Sequence, residues 1–198
     1  MMNNKETDHM QNLANWQEYL AEFDRIINAE HPPSPYDVPE YHNYLRLNAS
    51  RQKRWLKKGK LNAELQQKIR TIDEAQTWYV ITEPWCGDAA HIIPFLYLLT
   101  QENELINFKI VWRDTAPYMI DHYLTNGGKS VPKLVVRDKN DQDLFSWGPR
   151  PVPCQKIYQE LKEKNADFEE MKITLQQWYN KDKGITLQLE LKALIDQL

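Results

Sequence analysis

The chain has 198 residues, a formal net charge of −3 and two cysteines, which suits one domain with additions or two small domains. The nearly balanced charge implies no global electrostatic partner, and two cysteines far apart argue against a secreted disulfide scaffold. Residues 1–8 are polar and no apolar run approaches the ~20 residues of a membrane span, so we expect a cytoplasmic protein with reduced thiols and no membrane partner.

The N-terminal part of the chain is predicted to be helical. Seven apolar residues recur at helical spacing and predict an amphipathic helix over residues 11–29. These residues are Leu13, Trp16, Tyr19, Leu20, Phe23, Ile26 and Ile27. A proline-rich segment ends this helix. A second helix is expected over residues 39–58, and a third over about 63–72, with Asn62 as its cap.

Charge is spread unevenly along this part of the chain. Residues 1–50 carry eight acids and three bases, whereas residues 51–70 carry eight bases and one acid. A basic stretch of this kind either binds nucleic acid or forms a solvated helix face. We favour the solvated face and expect no nucleic-acid partner.

The central part alternates between strand and helix patterns. Strands are expected over residues 78–82, 108–112, 133–137 and 144–147. Helices are expected over residues 89–103 and 116–126 and after Pro153. This order demands parallel pairing through the helical crossovers, followed by an antiparallel hairpin. The C-terminal part is predicted to form two further helices that meet at Gly184.

Cys86 is the most informative candidate for a catalytic residue, and it lies in the sequence Trp85-Cys86-Gly87-Asp88-Ala89. A predicted strand gives way to a predicted helix there, and the positive end of a helix favours thiolate over thiol. Asp88 opposes this effect through its like charge. Cys86 is therefore either a reactive nucleophile or a small, unreactive buried residue, and we favour the nucleophile.

This segment resembles a thioredoxin active site, which reads Trp-Cys-Gly-x-x. Pro94 matches the proline that kinks the active-site helix of thioredoxins, and Gly148 matches a glycine on the same surface. Val131 and Pro132 precede a strand and resemble the cis-proline segment that pairs with an extended substrate. The resemblance implies an α/β protein of thioredoxin-like fold, with a central mixed sheet of four to five strands flanked by helices.

The resemblance covers about residues 74–165, which we expect to be a thioredoxin-like domain. Residues 1–73 and 166–198 are then N- and C-terminal helical extensions packed on that core. They resemble the additions of a bacterial group of thioredoxin-like proteins. That group carries an Arg-x-x-Arg/Lys-Trp helix, a Trp-Cys-Gly-Asp-Ala site and a Trp-Gly-Pro-Arg-Pro segment. The first and third of these motifs are residues 51–55 and 147–151 of this chain.

Two departures separate this site from that of a thioredoxin. Ala89 stands where thioredoxins have the resolving cysteine, and Val80 stands where they bury an aspartate that assists proton transfer. Because no second thiol follows one helical turn later, a mixed disulfide on Cys86 needs an external thiol to resolve it. A long-range disulfide to Cys154 is the alternative, which we disfavour because a disulfide demands a short distance between the two residues.

The resemblance also implies which residues bind the substrate around Cys86. They are Trp85, Gly87, Asp88, Val131, Pro132, Trp147, Gly148 and Arg150. Arg150 either binds an acidic group of a substrate or of a glutathione-like thiol, or it pairs with Asp88 or lies in solvent. The five histidines show no paired ligand spacing, so we expect no metal.

Two functional hypotheses follow. The first is a thioredoxin-like, monothiol oxidoreductase that exchanges thiols and disulfides through Cys86. It has no cofactor other than a low-molecular-weight thiol as co-substrate, and its partner is a disulfide- or thiol-containing protein or small molecule. The second is a redox-inactive thioredoxin-fold binding module for a protein or peptide. We favour the first hypothesis.

Overall fold

The computed structural model describes residues 13–198, and this part of the chain contains seven α-helices and five strands. The helices are α1 (Trp16–Ile27), α2 (Pro39–Lys58), α3 (Ala63–Arg70), α4 (Ala89–Thr100), α5 (Val152–Glu163), α6 (Phe168–Asp182) and α7 (Ile185–Ile195). The strands are β1 (Leu13–Ala14), β2 (Gln76–Thr82), β3 (Ile106–Trp112), β4 (Lys133–Arg137) and β5 (Asp143–Trp147). The predicted bounds of α2 and β4 are confirmed, and the α/β fold class is confirmed.

Capping residues fix where the first and third helices begin. The Asn15 side chain accepts the N–H of Glu18 while the Glu18 carboxylate accepts the N–H of Asn15, which is a capping box. The predicted start of the first helix at residue 11 is therefore wrong for the described residues, since residues 13–14 form β1. Residues 11 and 12 lie outside them. Asn62 caps α3 by accepting the N–H of Leu65, as predicted.

The five strands form one mixed sheet in the order β1-β3-β2-β4-β5. Strands β2 and β3 are parallel and are connected through α4. Strand β4 runs antiparallel to β2 and forms an antiparallel hairpin with β5. The hairpin and the first parallel pairing were predicted correctly, whereas the parallel pairing expected after the second crossover is wrong.

The segment between β3 and β4 explains that difference. The helix predicted over residues 116–126 shrinks to a 3-10 turn, Met119–His122. Pro117 lacks a backbone donor and Tyr118 has a left-handed conformation with φ of 58°, so an α-helix cannot run through this segment. Because no helix carries the chain back across the sheet, β4 starts at the end where β3 stops and runs in the opposite direction.

The added helices share one core with the sheet. Trp16 of α1 stacks on Tyr97 of α4 with ring centroids 4.5 Å apart, and Trp55 of α2 packs against Phe95 at 5.4 Å. Leu191 of α7 is fully buried in the same core. The domain boundaries after residues 73 and 165 fall in connections between elements and stay a prediction. Within residues 13–198, no helix is both long and apolar enough to cross a membrane.

Candidate active site

Cys86 lies in the turn between β2 and α4, at the carboxyl end of the central strand. Its side chain is buried, with 5% of the residue exposed. The thiol donates a hydrogen bond to the carbonyl oxygen of Val131 at 3.3 Å, and the N–H of Ala89 donates to Sγ at 3.4 Å. The Val131–Pro132 peptide bond is cis, as the resemblance implied. The sulfur therefore sits between the start of a helix and the segment that precedes β4.

Burial keeps the Cys86 thiol protonated. Desolvation is the largest cause that raises its pKa to about 12, and the charge of Asp88 raises it further. The Ala89 N–H and the Arg150 guanidinium act in the opposite direction but are weaker. The start of the helix alone thus does not make this cysteine a thiolate in the resting protein.

Asp88 is the centre of a buried polar network beside Cys86. Its carboxylate forms an ion pair with Arg150 at 2.6 Å and accepts the Tyr179 hydroxyl at 2.8 Å. Burial is the largest single influence on the pKa of Arg150 and lowers it, but the charge of Asp88 and the hydrogen bond to it, together with smaller contributions, raise that pKa overall. The Arg150 guanidinium also lies 4.0 Å from the centre of the Tyr158 ring. Of the alternatives for Arg150, the structure shows the pair with Asp88.

A second buried network reaches the active-site turn from α2. Arg51 Nη1 donates to the side-chain oxygen of Asn48 at 2.8 Å, and Asn48 Nδ2 donates to the Pro84 carbonyl at 3.1 Å. Both Arg51 and Gln52 are buried, so the solvated face expected for this basic stretch is wrong at its first two positions. Arg51 was not among the predicted site residues, although the Arg-x-x-Arg/Lys-Trp motif contains it.

His91 is held as a neutral ring behind the site. Trp55 Nε1 donates to His91 Nδ1 at 2.8 Å, which leaves the other ring nitrogen to donate to Gln176 at 3.0 Å. The ring stacks on Tyr179 with centroids 4.5 Å apart. Burial, followed by the charge of Arg51, lowers the pKa of His91 to about 3. These contacts give His91 a structural role.

A cavity of about 470 Å³ opens beside Cys86. Its walls come from the active-site turn, from α2, from the segment before β4 and from α6 of the C-terminal extension. Residues predicted for the site that line it are Trp85, Cys86, Gly87, Asp88, Val131 and Arg150. Lining residues that were not predicted include Tyr44, Arg51, Arg113, Lys129, Lys172 and Tyr179. The cavity thus joins the thioredoxin-like centre to both extensions.

Three predicted site residues lie behind the cavity and do not line it: Pro132, Trp147 and Gly148. Gly148 has φ of +116°, and a Cβ there would overlap the carbonyl oxygen of Pro132. Trp147 is buried and donates from Nε1 to Glu190 of α7 at 2.7 Å. The chain just after β5 therefore packs so closely against the segment that carries Val131 that only glycine fits at position 148.

Cys154 is a buried free thiol in the first turn of α5, and Cys86 is also free. Burial, followed by the charge of Asp88, raises the pKa of Cys154 to about 12, while a hydrogen bond with Tyr179 lowers it. Cys154 does not line the cavity. Among residues 13–198, no group of three or more histidine, cysteine and acidic side chains could hold a metal ion.

Comparisons with known proteins agree with this description of the fold. No curated protein matches the sequence. An HIV epitope scaffold is similar in structure, with a TM-score of 0.55 and 15% identity over 93% of this chain and 99% of that chain. PA1234, a protein of unknown function from Pseudomonas aeruginosa, is similar with a TM-score of 0.52 and 12% identity over the same shares of the two chains. A family model described as thioredoxin matches residues 36–162, which is more than half of the chain, and the protein therefore belongs to the thioredoxin family.

Proposed function

We propose that this protein is a thiol–disulfide oxidoreductase that acts through Cys86 alone and relies on an external thiol to complete each cycle. One observation carries the proposal. Cys86 Sγ lies at the wall of a ligand-sized cavity, between the Ala89 N–H and the Val131 carbonyl, in a chain of the thioredoxin family. Position 89, where a thioredoxin would have its second thiol, is a fully buried alanine.

The proposed cycle has two exchanges. Cys86 loses its proton to solvent, and its thiolate attacks one sulfur of a substrate disulfide. The substrate S–S bond breaks, a mixed disulfide forms on Cys86, and the other half of the substrate leaves as a thiolate that takes up a proton. An external thiolate then attacks the substrate sulfur of the mixed disulfide. Cys86 leaves as the thiolate, and the external thiol and substrate fragment end joined by a new disulfide.

The surroundings of Cys86 decide how often the first step occurs. Since burial and Asp88 hold the thiol protonated, we expect exchange to be slow near neutral pH and to accelerate as pH rises. The Ala89 N–H and Arg150 are the groups that stabilise the thiolate once it forms. They also stabilise Cys86 as the leaving group in the second exchange.

Turnover with purified variants tests this proposal. A small disulfide is supplied with an excess of an external thiol, and the rate of disulfide consumption above the uncatalysed rate is measured. We expect Cys86→Ser to abolish the enzymatic rate and Cys154→Ser to retain it. Equal rates for the wild type and Cys86→Ser would sink the proposal. Loss of the rate in Cys154→Ser, with its fold intact by circular dichroism, would show a dithiol enzyme instead.

A redox-inactive binding module is the second candidate, and the raised pKa of the buried Cys86 thiol is the observation that favours it. In that case the thiol is incidental and the cavity holds a ligand without covalent chemistry. The module predicts that Cys86→Ser captures the same non-covalent partners as the wild type. Partners retained only through a disulfide to Cys86 count against it.

A further inference from the structure

We propose that the cavity beside Cys86 selects a small disulfide or thiol that carries a carboxylate, and that Arg51 is the residue that binds this carboxylate. The inference rests on the proposed function for its covalent step, but its binding step is independent of that function. It names the substrate class, and it assigns the binding of the acidic group to Arg51 of the N-terminal extension and not to Arg150.

The charges that line the cavity are unbalanced. Five cationic side chains line it, namely Arg51, Arg113, Lys129, Arg150 and Lys172, against the single carboxylate of Asp88. Arg150 already neutralises that carboxylate. An anion entering this cavity therefore meets an excess of positive charge in a partly desolvated place, where electrostatic attraction is stronger than in water.

Arg51 differs from the other cations in having no acid beside it. Arg113 forms an ion pair with Asp114, Lys129 with Asp121, and Lys172 with Glu169. Among residues 13–198, no carboxylate lies within ion-pair distance of Arg51. The residue is nevertheless only 9% exposed, and its Nε has no hydrogen-bond partner in the described part of the chain. A buried guanidinium without a counter-charge is costly unless an anion occupies the site for part of the time.

The contacts of Arg51 tie it to the active-site turn beside Cys86. Its guanidinium lies 5.2 Å from the centre of the Tyr44 ring. The Tyr44 hydroxyl covers Gly87 so closely that a Cβ on this glycine would overlap it. Arg51 also supports the active-site turn through Asn48, as described above. Because Arg51 and Cys86 line the same cavity, one small molecule in that cavity can present its carboxylate to Arg51 and its sulfur to Cys86.

The shape of the cavity favours a small molecule over an extended peptide. Phe168, Met171 and Leu175 of α6 form one wall, and the Trp85 indole with Arg113 stacked on it at 4.5 Å forms another. A volume of about 470 Å³ falls within the range of small-molecule sites. The helix α6 therefore stands beside the segment where a thioredoxin substrate strand would pair, and it narrows that surface to a half-open pocket.

Three small disulfides of similar size and different charge test the proposal: dithiodipropionate, which is anionic, bis(hydroxyethyl) disulfide, which is neutral, and cystamine, which is cationic. The rate at which each forms a mixed disulfide on Cys86 is followed by intact-protein mass spectrometry in a Cys154→Ser background. We expect dithiodipropionate to react at least about tenfold faster than the neutral disulfide, since a charge-assisted hydrogen bond is worth about 1.5–3 kcal/mol, and cystamine to react most slowly.

Matched variants separate a specific contact from overall charge. Arg51→Gln should bring the ratio of the anionic to the neutral rate close to one, and Arg51→Lys should restore most of the ratio. Lys53→Gln makes the same change of charge on the same helix at an exposed position, and it should keep the wild-type ratio. An unchanged ratio in Arg51→Gln, or an equal loss in Lys53→Gln, would overturn the proposal.

A probe that binds but cannot react distinguishes failure of the proposed oxidoreductase function from failure of the anion site. Thiodipropionate is a thioether with the same two carboxylates, and its binding is measured by isothermal titration calorimetry. If no disulfide reacts with Cys86 but thiodipropionate binds the wild type and not Arg51→Gln, the oxidoreductase proposal fails and the anion site stands. If disulfides react without regard to charge and thiodipropionate does not bind, the anion site fails and the oxidoreductase stands.

Discussion

Asp88→Asn is the substitution that tests most sharply how the environment of Cys86 controls its thiol. Asparagine keeps the size of the side chain, and its amide oxygen can still accept the Tyr179 hydroxyl. The substitution removes the second-largest cause that raises the Cys86 pKa and leaves Arg150, which lowers that pKa, without its counter-ion. Both changes act in the same direction, so the pKa of Cys86 must fall.

The size of the effect follows from the pKa. With a pKa of about 12, on the order of one Cys86 thiol in ten thousand is ionised at pH 8. Removing a like charge and freeing a guanidinium lowers a pKa by about 1 to 3. Because thiolate nucleophilicity falls with pKa at a Brønsted slope of about 0.4–0.5, the net reaction rate at pH 8 should rise about 3- to 60-fold.

Alkylation by iodoacetamide measures this rate. The Cys154→Ser protein is labelled over a range of pH, with and without Asp88→Asn, and the modified fraction is read by mass spectrometry. Asp141→Asn makes the same change of charge in an exposed turn and should leave the rate unaltered. A rate in Asp88→Asn equal to or below that of its parent would refute the assignment of Asp88 as the charge that suppresses Cys86.

Four further substitutions probe the framework of the site. Gly87→Ala should displace Tyr44 and lower the free energy of unfolding in urea by about 1–3 kcal/mol, and Tyr44→Phe in the same chain should recover part of that loss. Gly148→Ala should lower the free energy of unfolding further. Its φ disfavours a side chain, and the added Cβ would overlap a backbone atom, which moves less easily than a side chain. Burial lowers the pKa of His91 to about 3 in the folded protein, against ~6.5 in the unfolded chain. The contribution of the neutral His91 ring to the free energy of unfolding is therefore fully present above about pH 6.5 and is lost as the pH falls toward about 3. Over this pH range, the free energy of unfolding should fall less in His91→Gln than in the wild type, which checks the sign of this effect.

Much of the fold could be predicted because its elements carry strong local patterns. Strand β4 has three consecutive apolar residues at its centre and is followed by turn residues, and its bounds were predicted residue for residue. Helix α2 begins with a proline at its first position and ends before Gly59. Cys86 was chosen as the candidate nucleophile for the same kind of reason, since its neighbours form a recognisable motif at a strand-to-helix junction. Local signals of this kind need no knowledge of the packing.

The rest of the site depends on contacts that a single sequence does not display. Arg51 belongs to a basic run that is typical of a solvated helix, and only the tertiary packing of α2 buries it. Tyr179 comes from a helix more than ninety residues beyond Asp88, which it nevertheless contacts. The segment around Tyr118 has apolar residues at helical spacing, yet the adjacent proline and the left-handed backbone prevent the helix. Spacing alone does not reveal such conflicts.

The central claim is that Cys86 works without a second protein thiol, and the intact mass of the oxidised wild type tests this claim most directly. The protein is treated with bis(hydroxyethyl) disulfide at mildly alkaline pH, the reaction is quenched in acid, and the intact mass is measured by mass spectrometry. The proposed mechanism predicts that the mass of one hydroxyethylthio group is added at Cys86 and removed by an external thiol. Loss of two hydrogen masses without an adduct, from a disulfide between Cys86 and Cys154, would contradict it.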